Sequence, residues 1–313
     1  MLSVIIVDYK SIEKTVNYIN HLKNRIDCFE DVHFIIVDNA DSNEEKISRL
    51  FFDTLGTECT RELYDNYTVL ICSNISLLYV KTGKNLGYAK ANNLGAIIAK
   101  KYYNDDYILV SNNDLVLTET LDFTKIIEIF ERDKKIAVIG PKIIGIDGKA
   151  QSPHKKVSAY VYLINPYWHI MSCKTVKSKD DLDFNDSSKY CYRVMGCFMF
   201  IRTQSFFEVG MFDENTFLYA EEMILSERLQ KKGYKTFFYN DFTVIHEHGV
   251  TVKNNSTVNQ ALKWNFESIY YYFKHYRNTN KFLLLFCKMD FYLYYTLYTI
   301  KKRIVKRKKT ERN

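Results

Sequence analysis

Proline and tryptophan are scarce in this chain: three prolines and two tryptophans in 313 residues. Two of the prolines, Pro153 and Pro166, fall between Gly145 and Lys189, so the rest of the chain carries few breakers of helix or strand. The seven cysteines (Cys28, Cys59, Cys72, Cys173, Cys191, Cys197 and Cys287) are odd in number and form no C-x-x-C pair. That points to reduced thiols in a cytosolic protein. No glycine-rich loop bearing Lys or Arg follows the first strand, which argues against triphosphate chemistry. No apolar run reaches the roughly 20 uninterrupted residues of a spanning helix. Internal repeats, low-complexity linkers and a charged leader with a cleavage pattern are also missing, and the expectation is one substantial core without a signal peptide.

What is present is, first, alternation. Strand-like segments at 2–7, 32–37, 68–72, 77–81 and 107–111 are separated by helical periodicity at 12–25, 43–55 and 89–101. Ile12, Val16, Ile19 and Leu22 mark the face of the first helix. Such alternation predicts an α/β fold with a mostly parallel central sheet flanked by helices. Further on come a helix at 120–132, strands at 136–139 and 194–202, and a helix at 221–232 stopped by Gly233. Gly145 to Lys189 reads as a long excursion.

The second feature is a set of acidic and amide residues where predicted strands end. Asp38-Asn39 closes one strand, and Asn112-Asn113-Asp114 closes another. Open α/β sheets place their ligands at such strand ends. Asp38 suits a ribose hydroxyl or a base N–H, although Asp-Asn after a strand also serves as an ordinary turn. Asn85-Leu86-Gly87 sits at a loop-to-helix junction, where a helix N-terminus favours negative charge. Asp114 could bind a hard divalent cation, Mg²⁺ or Mn²⁺, whose other ligands are diphosphate oxygens and water. The alternative is an Asx turn. Glu221-Glu222 opens a helix after apolar Phe217-Leu218-Tyr219. Desolvation would raise a carboxyl there toward the range of a general base, while acids at helix starts also complement the dipole. His246 and His248 flank Glu247 after an apolar strand, and His246 is a candidate metal ligand.

The third feature is charge and aromatic content at the end. The net charge is +7, and Lys301-Lys302-Arg303 with Lys306-Arg307-Lys308-Lys309 supplies much of it. Before this basic run stand Tyr- and Phe-rich segments interrupted by Lys288 and Asp290. A helix lying in an anionic membrane interface fits that composition. A helical hairpin packed on the core, with a solvated basic end, is the alternative. No recognition module for nucleic acid accompanies the tail, so no nucleic-acid partner is expected.

Taken in order, these motifs resemble the family-two glycosyltransferases, in particular the bacterial rhamnosyl- and galactosyltransferase-like branch. The likeness runs from residue 2 to about residue 250. It is carried by Ser3-Val4-Ile5-Ile6-Val7-Asp8-Tyr9-Lys10, Val37-Asp38-Asn39 and Asn85-Leu86-Gly87-Tyr88-Ala89 with Asn92-Asn93-Leu94-Gly95. Asn112-Asn113-Asp114, Gly140-Pro141-Lys142 and Gly196-Cys197-Phe198-Met199 follow. Gly210-Met211-Phe212-Asp213-Glu214 and Phe217-Leu218-Tyr219 complete the series. The resemblance implies a GT-A fold, with a transferase domain over 1–258 (donor half about 1–118, acceptor half about 119–258) and an aromatic, basic helical region over 259–313. It also implies an inverting transfer from a UDP- or dTDP-sugar to a glycan or lipid-linked glycan of the cell surface, at the cytoplasmic face of a bacterial membrane.

By the same resemblance Glu222 is the base and Glu221 its neighbour. Val7, Asp8, Tyr9, Asp38, Asn39, Asn85, Gly87, Asn92, Asn112 and Asn113 serve the donor. Asp114 and His246 serve the metal, and Gly196, Asp213 and Tyr219 lie on the acceptor side. The chain departs from the family where Asp8-Tyr9-Lys10 replaces Thr-Tyr-Asn, Glu222 replaces Asp and Ile224 replaces a frequent Asp. A catalytically weak nucleotide-sugar-binding subunit is the alternative to an active enzyme.

Overall fold

The structure, a computed structural model, describes residues 1–27, 29–159, 163, 182–247 and 258–310. Cys28, Cys173, His248 and much of the 145–189 excursion lie outside the described residues.

β1 (Leu2–Asp8), β2 (Val32–Asp38), β5 (Leu77–Lys81) and β6 (Tyr107–Ser111) form a parallel block in the order β5-β2-β1-β6. Their runs of Val, Ile and Leu are buried on both faces, as strands covered by helices on each side must be. Side chains alternate between two cores. Val4, Ile6, Phe34, Ile36 and Leu109 join one, and Ile5, Ile35, Val37, Ile108 and Val110 the other. α1 (Ile12–Lys23) closes the first core with Val16, Ile19 and Leu22. α2 (Glu44–Leu55), capped by the Asn43 side chain on Lys46 N, covers the same face with Ile47 and Phe51. α3 (Tyr88–Tyr102) closes the second core with small residues, Ala89, Ala91 and Ala96. Its approach is so close that a Cβ on Gly95 would stand 2.6 Å from Ile5 Cγ2.

The parallel register lines up the strand ends. Asp8 pairs with Asp38, Asp38 with Lys81, and Ile6 with Ser111. Outside this block the sheet is mixed. β10 (Phe198–Arg202) runs antiparallel between β6 and β8 (Ile136–Gly145), and β8 pairs in parallel with β11 (Lys235–His246). β7 (Leu115–Leu117) and β9 (Lys189–Cys191) both pair antiparallel with β11. At the other edge β3 (Thr60–Leu63) and β4 (Thr68–Cys72) make an antiparallel hairpin on β5. The expectation of a mostly parallel sheet is therefore corrected: the parallel block is its centre, but antiparallel pairings at β10, at β11 and at the β3–β4–β5 edge make the sheet as a whole mixed.

Several boundaries differ from expectation for identifiable reasons. α4 (Phe123–Arg132) starts after residue 120 because Asp122 caps it through Lys125 N. β8 runs through Pro141 to Gly145. Past Ile139 it no longer pairs with β10, so one edge lacks the ladder that proline would break. Residues 194–197 precede β10 instead of belonging to it. The expectation of reduced thiols is corrected at one pair: the β3–β4 hairpin sets Cys59 opposite Cys72, with Cα atoms 4.3 Å apart, and the two are bridged. Cys191, Cys197 and Cys287 are free.

After a short α5 (Thr203–Glu208) and α6 (Glu221–Lys231), the described chain ends in α7 (Val258–His275) and α8 (Lys281–Thr310). Phe266, Ile269, Tyr272 and Phe273 of α7 pack with Met223 and Ile224 of α6, and Leu284, Cys287 and Phe291 of α8 join the same cluster. The hairpin therefore packs on the α/β body through α6. Its outer helix nevertheless exposes Phe282, Leu285, Phe286, Met289, Leu293 and Leu297. Among the described residues no helix is long and apolar enough to cross a membrane.

Candidate active site

Three chain segments converge on the turn before β10. Asn112 N donates to the Cys197 carbonyl at 2.9 Å, which fixes the end of β6 beside Gly196-Cys197. Tyr88 Oη, at the start of α3, donates to Asn112 Oδ1 at 3.0 Å and lies 3.2 Å from the Gly196 carbonyl. Glu222, in the first turn of α6, packs over Gly196: a Cβ there would stand 3.5 Å from its Oε2. The buried Cys197 thiol is pushed up by burial and then by the charges of Asp114 and Glu222, so both carboxylates sit near one side chain.

Asp114 and His246 face each other because β7 pairs with the end of β11, placing Leu115 beside His246. Glu247 N donates to the Asp114 carbonyl at 2.9 Å. His246 Nδ1 is 3.0 Å from Gln151 Oε1, and its Nε2 is 3.5 Å from Asp114 Oδ1. Asp114 Oδ1 is buried and makes no hydrogen bond. Burial raises the Asp114 carboxyl, but His246 and Lys14 outweigh it and hold it below the usual carboxylate range. A carboxylate and an imidazole are side-chain types that ligate divalent cations. Among the described residues no cluster of three or more such protein ligands occurs. A cation here would complete its shell from ligand oxygens and water, as Mg²⁺ commonly does.

The two glutamates differ sharply. Glu221 is 4% exposed, with a buried Oε1 that has no hydrogen-bond partner. Burial, and then the charge of Glu222, pushes its carboxyl up to about 8. Glu222 is partly exposed and accepts from Arg193 Nη1 at 3.0 Å. Immediately before them Tyr219 (φ 76°) and Ala220 (φ 68°) both take left-handed backbone conformations. Two consecutive non-glycine residues in that region store strain of about 1–3 kcal/mol each, a feature concentrated at functional sites.

The remaining sequence-predicted residues divide into two groups. Asn39, Asn85 and Gly87 form one loop cluster: Asn39 Nδ2 donates to Asn85 Oδ1 (3.1 Å) and the Gly87 carbonyl (3.2 Å), and Leu86 N donates to Asn39 Oδ1 (2.7 Å). Gly87 has φ 83°, and a Cβ on it would meet the Phe217 carbonyl oxygen at 2.6 Å. That carbonyl accepts from Tyr88 N at 2.8 Å, which locks the loop to the segment leading into Glu221. Asn92 Nδ2 caps back onto the Tyr88 carbonyl. Val7 and Tyr9 flank Asp8 at the end of β1.

Asp8 and Asp38 are turned inward. Asp8 is fully buried and accepts from Ser11 Oγ (2.8 Å) and Thr15 Oγ1 (2.7 Å), with Asn113 Nδ2 at 3.4 Å; burial raises its carboxyl above the usual range. Asp38 accepts from Tyr79 Oη (2.7 Å), Ala40 N and Ser42 N. Both carboxylates hold the turns after their strands. Asp213 is likewise engaged: Arg228 Nη2 lies at 3.1 Å and Tyr271 Oη donates at 3.1 Å, joining α6 and α7. Arg193, Tyr88 and Gln151 were not singled out as site residues. Arg193 carries no motif, and its partner Glu222 is 29 residues away, so only the fold reveals the pair.

No family model matches the chain. It is 26% identical over 217 residues to an N-acetylglucosaminyl-diphospho-decaprenol L-rhamnosyltransferase of Mycobacterium tuberculosis (strain CDC 1551 / Oshkosh), covering 66% of this chain and 68% of that protein. It is 25% identical over 212 residues to the rhamnosyltransferase WbbL of Escherichia coli (strain K12), covering 64% of this chain and 75% of the relative. Among solved structures, GalNAc-T7 with UDP, GalNAc and Mn²⁺ superposes with a TM-score of 0.55 at 14% identity. That match covers 79% of this chain, which spans only 44% of the length of that protein. The fold is that of the GT-A glycosyltransferases. The chain is a glycosyltransferase, and relatives by sequence are rhamnosyltransferases.

Proposed function

We propose that this chain is an inverting, metal-assisted glycosyltransferase that moves a sugar, rhamnose or another hexose, from a UDP- or dTDP-sugar to a lipid-linked glycan in cell-surface polysaccharide synthesis. The observation that carries the reading is the convergence of Asn112–Asp114, Gly196-Cys197 and Glu221-Glu222 at one turn. The acceptor class follows the name of the mycobacterial relative, and the surface-polysaccharide role, capsule or O-antigen, follows the family resemblance.

In this reading residues 1–258 are the transferase domain. The Asn39–Asn85–Gly87 loops and the start of α3 receive the donor, with Asn112 and Asn113 beside them. Asp114 and His246 hold Mg²⁺ or Mn²⁺, which when bound offsets charge on the leaving diphosphate. Glu222 takes the proton of the acceptor hydroxyl as its oxygen bonds to the anomeric carbon and the bond from that carbon to the diphosphate breaks. A single displacement of this kind inverts the anomeric centre. Arg193 positions Glu222. Glu221, protonated below about pH 8, adds no second negative charge beside it. Gly196 and Tyr219 border the acceptor side, while Asp213 supports it by tying α6 to α7.

The exposed apolar face of α8, followed along the same helix by Lys301-Lys302-Arg303 and Lys306–Lys309, is proposed to lie on an anionic cytoplasmic membrane surface. Apolar burial and basic charge act together there, at about 1 kcal/mol per basic residue near the leaflet.

The test is a panel of nucleotide sugars assayed with Mn²⁺ for thermal stabilisation, donor hydrolysis and transfer. One donor should stabilise the protein and be turned over, and Glu222→Gln should keep the stabilisation while losing transfer. Binding without any turnover would leave a nucleotide-sugar-binding subunit and reject the enzyme.

A further inference from the structure

A cavity of about 350 Å³ opens between the loop at Asn215–Phe217, α7 and α8. Its walls are aromatic: Phe217, Trp264, Tyr271 and Tyr292, with the Phe217 and Trp264 rings 4.6 Å apart. Two lysines, Lys274 at the end of α7 and Lys288 on α8, stand on its rim. Neither makes an ion pair among the described residues, whereas the acid in the wall, Glu267, lies 3.7 Å from Lys263. A lining rich in aromatic rings, with two lysines outside any ion pair among the described residues at its mouth, suits an amphiphile with an anionic head.

Two connections say more about the ligand. Phe217, which forms part of the wall, also gives its carbonyl to Tyr88 N at the donor loop, and Leu218 is tied to α7 by Ser268 Oγ at 2.8 Å. The wall therefore continues within a few residues into strained Tyr219-Ala220 and the Glu221-Glu222 pair. On the other side, Lys288 and Tyr292 lie three and seven residues beyond exposed Leu285, at helical spacing, so the cavity opens beside the apolar stripe of α8. A long apolar chain leaving the cavity would meet Leu285, Met289 and Leu293 instead of water.

We infer that this cavity binds the isoprenoid diphosphate carrier of the acceptor, with the first isoprene units among the aromatic rings and the diphosphate on Lys274 and Lys288. The inference rests on the lipid-linked acceptor proposed above. It assigns the carrier to the α7–α8 hairpin and leaves the donor to the strand ends.

The experiment uses the full chain and follows quenching of tryptophan fluorescence, with Trp264 inside the cavity. Geranylgeranyl diphosphate, below its aggregation concentration, should quench saturably, and inorganic pyrophosphate or geranylgeraniol alone should bind at least about tenfold more weakly. Lys274→Met and Lys288→Met should each weaken geranylgeranyl diphosphate by roughly tenfold, the scale of a lost charge-assisted contact, while the thermal shift given by nucleotide stays unchanged. Equal binding of pyrophosphate would make this a phosphate site, and equal binding of geranylgeraniol an apolar slot. An equal quench by dioctanoylphosphatidylglycerol would make it a bulk-lipid contact. Each of these, or unaltered binding in both variants, overturns the inference. Turnover of a nucleotide sugar without isoprenoid diphosphate binding would reject the carrier site alone, whereas absence of donor turnover would reject the glycosyltransfer reading beneath it.

Discussion

Arg193 Nη1 lies 3.0 Å from Glu222 Oε1, joining a nearly buried guanidinium to the carboxylate that opens α6. The pair fixes the direction of a side chain one methylene longer than aspartate. Arg193→Met should lower kcat by about 10- to 100-fold with little change in KM for the donor, because misplacing a catalytic group costs rate more than binding. Arg193→Lys should recover part of the loss by restoring the charge without the fork. Steady-state kinetics of the two variants checks this. A rise in donor KM with kcat intact would show Arg193 acting on the nucleotide instead.

Glu221 gives a pH dependence of definite sign. Its carboxyl is raised by burial from the ordinary 4.5 to about 8. Between those values the folded chain keeps a proton that the unfolded chain has released. Stability contributed by the neutral side chain is therefore present at low pH and declines as pH rises through this window. Glu221→Gln removes the titration. Its stability relative to the native chain should grow from pH 5 to pH 8, by on the order of a few kcal/mol at most. Denaturant midpoints at the two pH values measure the difference, and parallel profiles would mean that Glu221 is ionised in the fold.

The Asp114–His246 pair carries the cation assignment. Asp114→Ala should reduce metal-dependent transfer by about 10²–10³, the cost of losing a charge-stabilising group. It should also abolish the stabilisation that Mn²⁺ with nucleotide gives. His246→Ala should leave that stabilisation but require more Mn²⁺ to reach it. The assignment fails if Mn²⁺ still shifts the melting of Asp114→Ala as it does the native chain.

How much of this was legible in the sequence depends on the range of the interaction. Apolar runs such as Val32–Asp38 and helical spacing such as Val16, Ile19 and Leu22 are local, and the elements they predict are there. The order of motifs identified the GT-A architecture, which the structural likeness bears out. Contacts between distant segments were not legible. Nothing local marks Arg193 as the partner of Glu222, and nothing local shows that Asp8 and Asp38 are occupied by Thr15 and Tyr79. The Cys59–Cys72 bridge depends on a hairpin whose first strand, Thr60–Leu63, is exposed along its length and carries no apolar alternation.

Gly87 should tolerate no side chain. Its φ of 83° is one that L-residues rarely adopt, and an added Cβ would stand 2.6 Å from the Phe217 carbonyl oxygen. Gly87→Ala should destabilise the protein by about 1–3 kcal/mol, the usual cost of forcing a residue into such a region. It should also weaken nucleotide-sugar binding, because the loop must move off Phe217. Urea denaturation and nucleotide titration read the two effects, and a variant with native values for both would place the loop outside the donor site.

The membrane contact proposed for α8 is best tested without removing the helix. α8 buries Leu284, Cys287 and Phe291, and the Phe266 and Phe291 rings stack 3.9 Å apart, so a chain cut near Asn280 would uncover the core it packs on. The exposed residues can be changed instead. Phe286→Gln, Leu293→Gln and Leu297→Gln together remove apolar surface that the protein itself does not bury. Insertion of even part of three such side chains is worth a few kcal/mol at about 25 cal/mol per Å². The triple variant should therefore sediment with anionic liposomes at least about tenfold less than the native chain, with unchanged melting and donor hydrolysis. Raised salt should weaken the residual binding further, because the basic run on the same helix acts through screened charge. Equal sedimentation of the triple variant and the native chain would reject this face as the membrane contact.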